Sequence, residues 1–263
     1  AGIPPESSWN GPDVLWNAAW NGNINMIKLL FQYGYPKNNM TVSLAMQSAA
    51  ENDQTEPLKY LIGLGNSPDF EYPDHTPLEQ ACQYGSMDAI RFLIEHGANP
   101  NGGNLQGLPL YTASYLGQTD AARYLIEKGA DVNLVPKYPD GTYGSSALTG
   151  AIVSGSFDLV KLLIQHGANI NYKDPNEGYS VAVAASAEST TVLEFLLQSG
   201  AEVNGQDCDG STALLIAARN GNIDNAKLLL RYHADKDIKN KNGETALTVA
   251  KSANSSEINQ LLQ

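Results

Sequence analysis

The stretch Ala113-Ser114-Tyr115-Leu116-Gly117, continued by Ala122-Arg123-Tyr124-Leu125-Ile126 and closed by Gly129-Ala130, decides the fold. Its pattern is a small-residue run, a glycine, an aliphatic stretch, and a second glycine 12 residues after the first. The same pattern runs from Ala81 to Gly97, from Ala151 to Gly167 and from Ala217 to His233. Taking the first alanine of each copy gives Ala18, Ala49, Ala81, Ala113, Ala151, Ala184, Ala217 and Ala250, separated by 31, 32, 32, 38, 33, 33 and 33 residues. A fixed period of this size is the signature of a stacked array and not of two unlike domains.

Each copy reads as two short helices. Leu110, Ala113 and Ser114 place small and apolar groups on one face of a first helix, and Ala121, Ala122, Leu125 and Ile126 recur at helical spacing on a second. Gly117 permits the tight turn between them, and Gly129 supplies the left-handed residue that ends the second helix. Thr76, Thr212 and Thr245 stand where a first helix begins, as N-caps, and Pro77 takes the first helical position, where its missing N–H is no loss. Polar runs such as Asn204-Gly205-Gln206-Asp207-Cys208-Asp209-Gly210 suit a hairpin between copies. A pair of helices this short buries too little alone, so stacking must supply the core.

Thr76-Pro77-Leu78 and Leu125-Ile126-Glu127-Lys128-Gly129-Ala130-Asp131-Val132-Asn133 resemble the helix-opening and helix-closing motifs of the ankyrin-repeat family. The second motif returns at Leu163 to Asn171 and at Leu197 to Asn204. The resemblance implies an all-α solenoid of helix-turn-helix units with β-hairpin-like finger loops, as one domain over residues 13–263 behind an N-terminal lead-in at 1–12. It also implies a protein-binding scaffold without chemistry of its own, whose first helices line a concave face. It places Asn133, Asn171 and Asn204 at the residue that asparagine hydroxylases acting on such repeats modify.

The departures from the motif are informative. Where the family has a histidine after the opening leucine, the copies carry Trp16, Gln47, Glu79, Tyr111, Thr149, Ala182, Leu215 and Thr248. Asp53 and Glu188 replace the inter-helix glycine, and a non-glycine residue held left-handed costs about 1–2 kcal/mol, so the second and sixth copies are expected to be the least regular. The 38-residue interval puts a long finger at Leu134 to Ser145, with Pro136, Lys137, Tyr138, Pro139 and Tyr143. The last copy, with Glu257, Asn259 and Gln260 around Ile258 and Leu261, reads as a polar cap.

Composition bounds the function. With 28 acidic against 16 basic residues the net charge is −12, which argues against a nucleic-acid binder. The imbalance is uneven: residues 1–215 hold 23 acids and 9 bases, net −14, and residues 216–263 hold 5 acids and 7 bases, net +2. No apolar run reaches the ~18 residues that a membrane span needs. Two cysteines, Cys82 and Cys208, make neither a disulfide framework nor a metal knuckle, so a reducing, cytoplasmic setting is expected. The chain opens at Ala1, as a processed product or a piece of a longer protein would.

No catalytic constellation, cofactor motif or metal signature stands out. His96 and His166 precede the closing glycine and His233 replaces it, so repeat position explains all three. Asp207-Cys208-Asp209-Gly210 opens like a calcium loop but lacks the downstream glutamate, and Cys82 reads as a core thiol. What remains is a binding surface. Positions two and three after the index alanine lie toward the exposed end of the first helix, where Trp20, Tyr84 and Tyr115 stand; the fingers add Trp9, Tyr72, His75, Tyr138 and Tyr143. By contrast Phe92, Tyr124 and Phe195 fall on core positions, and Trp9 and Trp16 read as cover for the open end of the stack. Exposed aromatics among acids suit a hot spot for a protein or peptide, with a basic segment favoured and a monomer expected. The runner-up function is a ligand-sensing ankyrin array of a larger multidomain receptor or effector.

Overall fold

The computed structural model describes residues 14–71, 75–103, 108–138, 140–187, 189–253 and 255–263. The lead-in at 1–12, Trp9, Tyr72, Pro139 and Glu188 therefore lie outside the described residues. The chain divides into two compact units, residues 1–131 and 132–263. Among the described residues the first unit holds α1 (Val14–Trp20), α2 (Ile24–Gln32), α3 (Asn39–Glu51), α4 (Thr55–Gly63), α5 (Pro77–Tyr84), α6 (Met87–Glu95), α7 (Pro109–Tyr115) and α8 (Thr119–Glu127). The second holds α9 (Ala147–Val153), α10 (Phe157–Gln165), α11 (Ser180–Ala185), α12 (Thr190–Gln198), α13 (Ala213–Asn220), α14 (Ile223–Arg231), α15 (Ala246–Ser252) and α16 (Ser256–Leu262).

In both units consecutive helices pair, odd helices pack on odd ones and even on even, giving two layers with the core between them. Every index alanine lies in an odd helix and is at most 6% exposed, because a methyl group is all that closely packed first helices admit. The even helices return larger groups: Leu58, Leu61, Ile90, Leu93, Leu125, Leu159, Leu163 and Leu193 are fully buried. Each is worth about 1.5–3 kcal/mol of transfer free energy. Phe92, Tyr124 and Phe195 correct the expectation of core aromatics, since all three are half-buried. Phe92 stacks on His96 at 3.9 Å, Tyr124 lies under Arg91 and Lys128, and Phe195 meets Phe157 edge-on at 5.5 Å.

The helix ends follow the punctuation in the sequence. Thr76, Thr212 and Thr245 each accept the amide three residues on, and Thr248 returns the bond to close a capping box. Gly117 and Gly129 have φ of 69° and 94°, and the Ala130 amide reaches back to the Leu125 carbonyl at 2.9 Å. Asp53 (φ 55°) and His233 (φ 61°) occupy the left-handed region without being glycine. At Asp53 the strain is offset, because its Oδ1 accepts the Ala89 amide in the first turn of α6 at 2.7 Å. Among the described helices α3, with 13 residues, is the longest, extended at its N-terminal end, and α11, with 6, the shortest.

The fingers of the second unit close into hairpins, with bridges Lys137↔Tyr143, Asp174↔Gly178 and Gln206↔Thr212. A carboxylate or amide oxygen folds each tip: Asp140 accepts the Thr142 amide, Asp174 those of Asn176 and Glu177, Asp207 those of Asp209 and Ser211, and Asn240 those of Asn242 and Glu244.

Candidate protein-binding surface

Residues two before and two after the index alanine are four apart and share a helix face. Across α1, α3, α5 and α7, which lie side by side, these positions read Trp16 and Trp20, Gln47 and Glu51, Glu79 and Gln83, Tyr111 and Tyr115. The two ends of this face are aromatic. Trp16 and Trp20 stack with centroids 5.3 Å apart and planes at 20°, and Tyr111 and Tyr115 do so at 6.0 Å and 30°. Tyr115 is 49% exposed, and Trp16, Trp20 and Tyr111 are half-buried.

The middle of the face is acidic. Glu79 is 6% exposed, with His75 Nδ1 2.9 Å from its Oε2 and the Thr112 hydroxyl donating to its Oε1 at 3.4 Å. Burial holds its carboxyl above the ordinary carboxylate value; the bond from His75, the His75 charge and the Thr112 bond oppose that rise, and Glu71 adds to it. His75 has an exposed side chain, and its carbonyl accepts Gln47 Nε2 at 2.7 Å, so the finger base is tied to α3. Tyr84 stands one position beyond the shared face and is 52% exposed. Its hydroxyl donates to the Glu51 carboxylate, a bond that, with lesser help from burial and from the Glu51 charge, pushes the phenol above its usual range. Tyr84 thus joins the acidic middle and not a continuous ring of aromatics, because one helical residue turns a side chain by about 100°.

Tyr138 and Tyr143 belong to the second unit, on the long finger, 38% and 49% exposed, with Lys137 Nζ 5.5 Å from the centre of the Tyr143 ring. Asn133, Asn171 and Asn204 act structurally. Their Oδ1 atoms accept the amides of Asn169, Glu202 and Asp235 at 2.7, 2.9 and 2.8 Å, tying each copy to the next. Asn101 does the same for Asp131, and Asp69 for Asn99. Burial raises the Asp69 carboxyl, and the Asn99 amide opposes the rise. Asp69 is therefore a structural joint between its copy and the next.

Sequence reasoning passed over Trp16, Tyr111 and Glu79 as members of this face. The signal was the four-residue spacing from Trp20, Gln83 and Tyr115, which the motif comparison hid by treating those positions as departures. Cys82 is buried in α5 and its thiol is raised far above its usual range by burial, with the Glu79 charge adding to it. Among the described residues no three His, Cys, Asp or Glu side chains come together as a metal site, and no helix is long and apolar enough to cross a membrane.

A family model described as ankyrin repeats (3 copies) matches residues 45–136, 108–174 and 180–263. The chain belongs to the ankyrin-repeat family. Ankyrin repeats mediate protein–protein interaction, and the family is typically non-catalytic. None of the curated proteins searched matches the chain.

Proposed function

We propose that this ankyrin array is a non-enzymatic interaction module that holds a partner peptide on the first-helix face of its first unit. The observation that carries the reading is the pair of stacked aromatic couples, Trp16 with Trp20 and Tyr111 with Tyr115, on either side of Glu51 and Glu79. Large, rigid rings contribute contact area at low entropic cost, and acids between them select for a partner that presents Lys or Arg. His75 Nδ1 and the Thr112 hydroxyl, both within hydrogen-bond reach of the Glu79 carboxylate, fix its geometry before the partner arrives.

The test begins with selection from a random peptide library on the intact chain, where sequences combining Lys or Arg with an apolar residue are expected. The best peptide should then lose at least ~2 kcal/mol of affinity for the double variant Tyr84→Ala, Tyr115→Ala, with helical circular dichroism unchanged. Association with the wild type should slow as salt rises, because exposed charges are screened beyond about 8–10 Å. Binding that survives this double change and fails on alteration of α11 to α16 would assign the wrong surface.

A further inference from the structure

The fingers of the second unit enclose a groove of about 640 Å³ that the aromatic face does not use. Lys173, Asp174, Gln206, Cys208, Lys239 and Lys241 are among its lining. Its walls are fixed. The Lys241 amide donates to the Asp209 carbonyl at 3.0 Å, and Gln206 Nε2 donates to the carbonyls of Gly210 and Lys239 at 2.6 and 3.4 Å. Gly178, at φ 83°, packs so tightly that a β carbon there would overlap the Asp207 backbone.

Two features of the groove call for a ligand. The first is cationic: Lys173, Lys239 and Lys241 outnumber Asp174 and Asp207 in the lining, are exposed, and none is held in an ion pair among the described residues. The second is a buried acceptor. Asp174 is 1% exposed; its Oδ1 accepts the Asn176 and Glu177 amides and the Ser145 hydroxyl, but its buried Oδ2 meets no donor. An unmet buried carboxylate oxygen is costly and is normally paired.

We infer that this groove binds an extended acidic peptide segment, whose side-chain carboxylates meet Lys173, Lys239 and Lys241 while a backbone N–H reaches Asp174 Oδ2. A peptide offers both chemistries along one strand. A polyphosphate or a nucleic-acid backbone offers only the anion and leaves Asp174 Oδ2 without a donor. The groove belongs to the second unit and the aromatic face to the first, and the groove attracts the opposite charge.

Cys208 makes the test possible on the native chain, because the other cysteine, Cys82, is buried, so N-ethylmaleimide reports on the groove. The probe is a blocked decapeptide of alternating glutamate and glycine, with the glutamine counterpart as control. The glutamate peptide should slow alkylation of Cys208 about tenfold at saturation, and Lys239→Glu with Lys241→Glu should raise the half-protecting concentration at least ~10-fold. Lys173→Glu should act in the same direction, whereas Lys59→Glu, and Tyr84→Ala with Tyr115→Ala, should change nothing. The inference is overturned by any of three results: no protection at millimolar peptide, equal protection by the glutamine peptide or by tripolyphosphate, or an equal loss on Lys59→Glu.

Discussion

The two units use one set of structural rules and spend their remaining positions differently. In both, index alanines are buried, a left-handed residue ends the second helix, and Asn or Asp oxygens tie successive copies from the second to the seventh. Two positions before the index alanine, however, the first unit carries Trp16, Gln47, Glu79 and Tyr111, and the second carries Thr149, Ala182, Leu215 and Thr248. The first unit has 14 acids and 6 bases, net −8; the second has 14 and 10, net −4, with closed hairpin fingers that carry lysines. Stacking thus dictates a minority of positions, and specificity is written on the others: on helix faces in one unit and on finger walls in the other.

The largest effect should come from breaking the stack itself. Leu125, fully buried in α8, and Leu163, its counterpart in α10, each leave a cavity when cut to alanine, at ~2–5 kcal/mol. Since each copy leans only on its neighbours, Leu125→Ala should make the first unit unfold at lower urea than the second. Cys82 reports the first event, because its thiol is buried until α5 opens. Coincident loss of Cys82 protection and of total helicity in that variant would show that the units unfold as one.

The helices, their caps and the fingers were legible in the sequence because they depend on residues whose physical demands are local: alanine for close approach, glycine for positive φ, threonine for the cap. The site was legible only in part. Tyr84, Tyr115 and Trp20 were visible as large groups off the core ruler, but the neighbours that give them chemistry are long-range. Nothing in the chain order shows that the Tyr84 hydroxyl meets Glu51, or that Thr112 and His75 converge on Glu79. The groove of the second unit was hidden for the same reason: Lys173 and Lys241 are 68 residues apart in sequence, and Asp174 reads as an ordinary turn acid until its burial is known.

Glu79 offers a smaller, pH-dependent contrast. Its folded carboxyl lies above the ordinary value of 4.5, so the native state holds its proton where the unfolded chain has lost it. Stability from this group is therefore complete below that ordinary value and falls as pH rises through the folded one. Asp69, also raised by burial, acts in the same sense. Glu79→Gln keeps an acceptor for Thr112 and removes the charge, so its melting temperature should match wild type in acid and exceed it at neutral pH. The corresponding Thr149, Ala182 and Leu215 cannot titrate, so this pH dependence should be confined to the first unit. A variant that melts lower than wild type at neutral pH would mean that the ionised carboxylate holds α5 to α7 and His75.

The smallest effect separates two residues that backbone geometry alone makes equivalent. Asp53 in the first unit and His233 in the second both sit at positive φ where ankyrin copies place glycine. Left-handed backbone costs a non-glycine residue about 1–2 kcal/mol, and glycine returns part of that gain through the greater freedom of its unfolded chain. His233→Gly should therefore stabilise the chain by ~0.5–1 kcal/mol, because no side-chain bond of His233 offsets the strain among the described residues. Asp53→Gly removes the same strain but also the 2.7 Å bond to the Ala89 amide, worth ~0.5–1.5 kcal/mol, and should give no gain. Asp53→Asn, which keeps an oxygen in place, is the control and should leave stability nearly unchanged. Urea midpoints of the three variants decide the matter: an equal gain from both glycine substitutions would show that the Asp53 carboxylate contributes nothing to the start of α6.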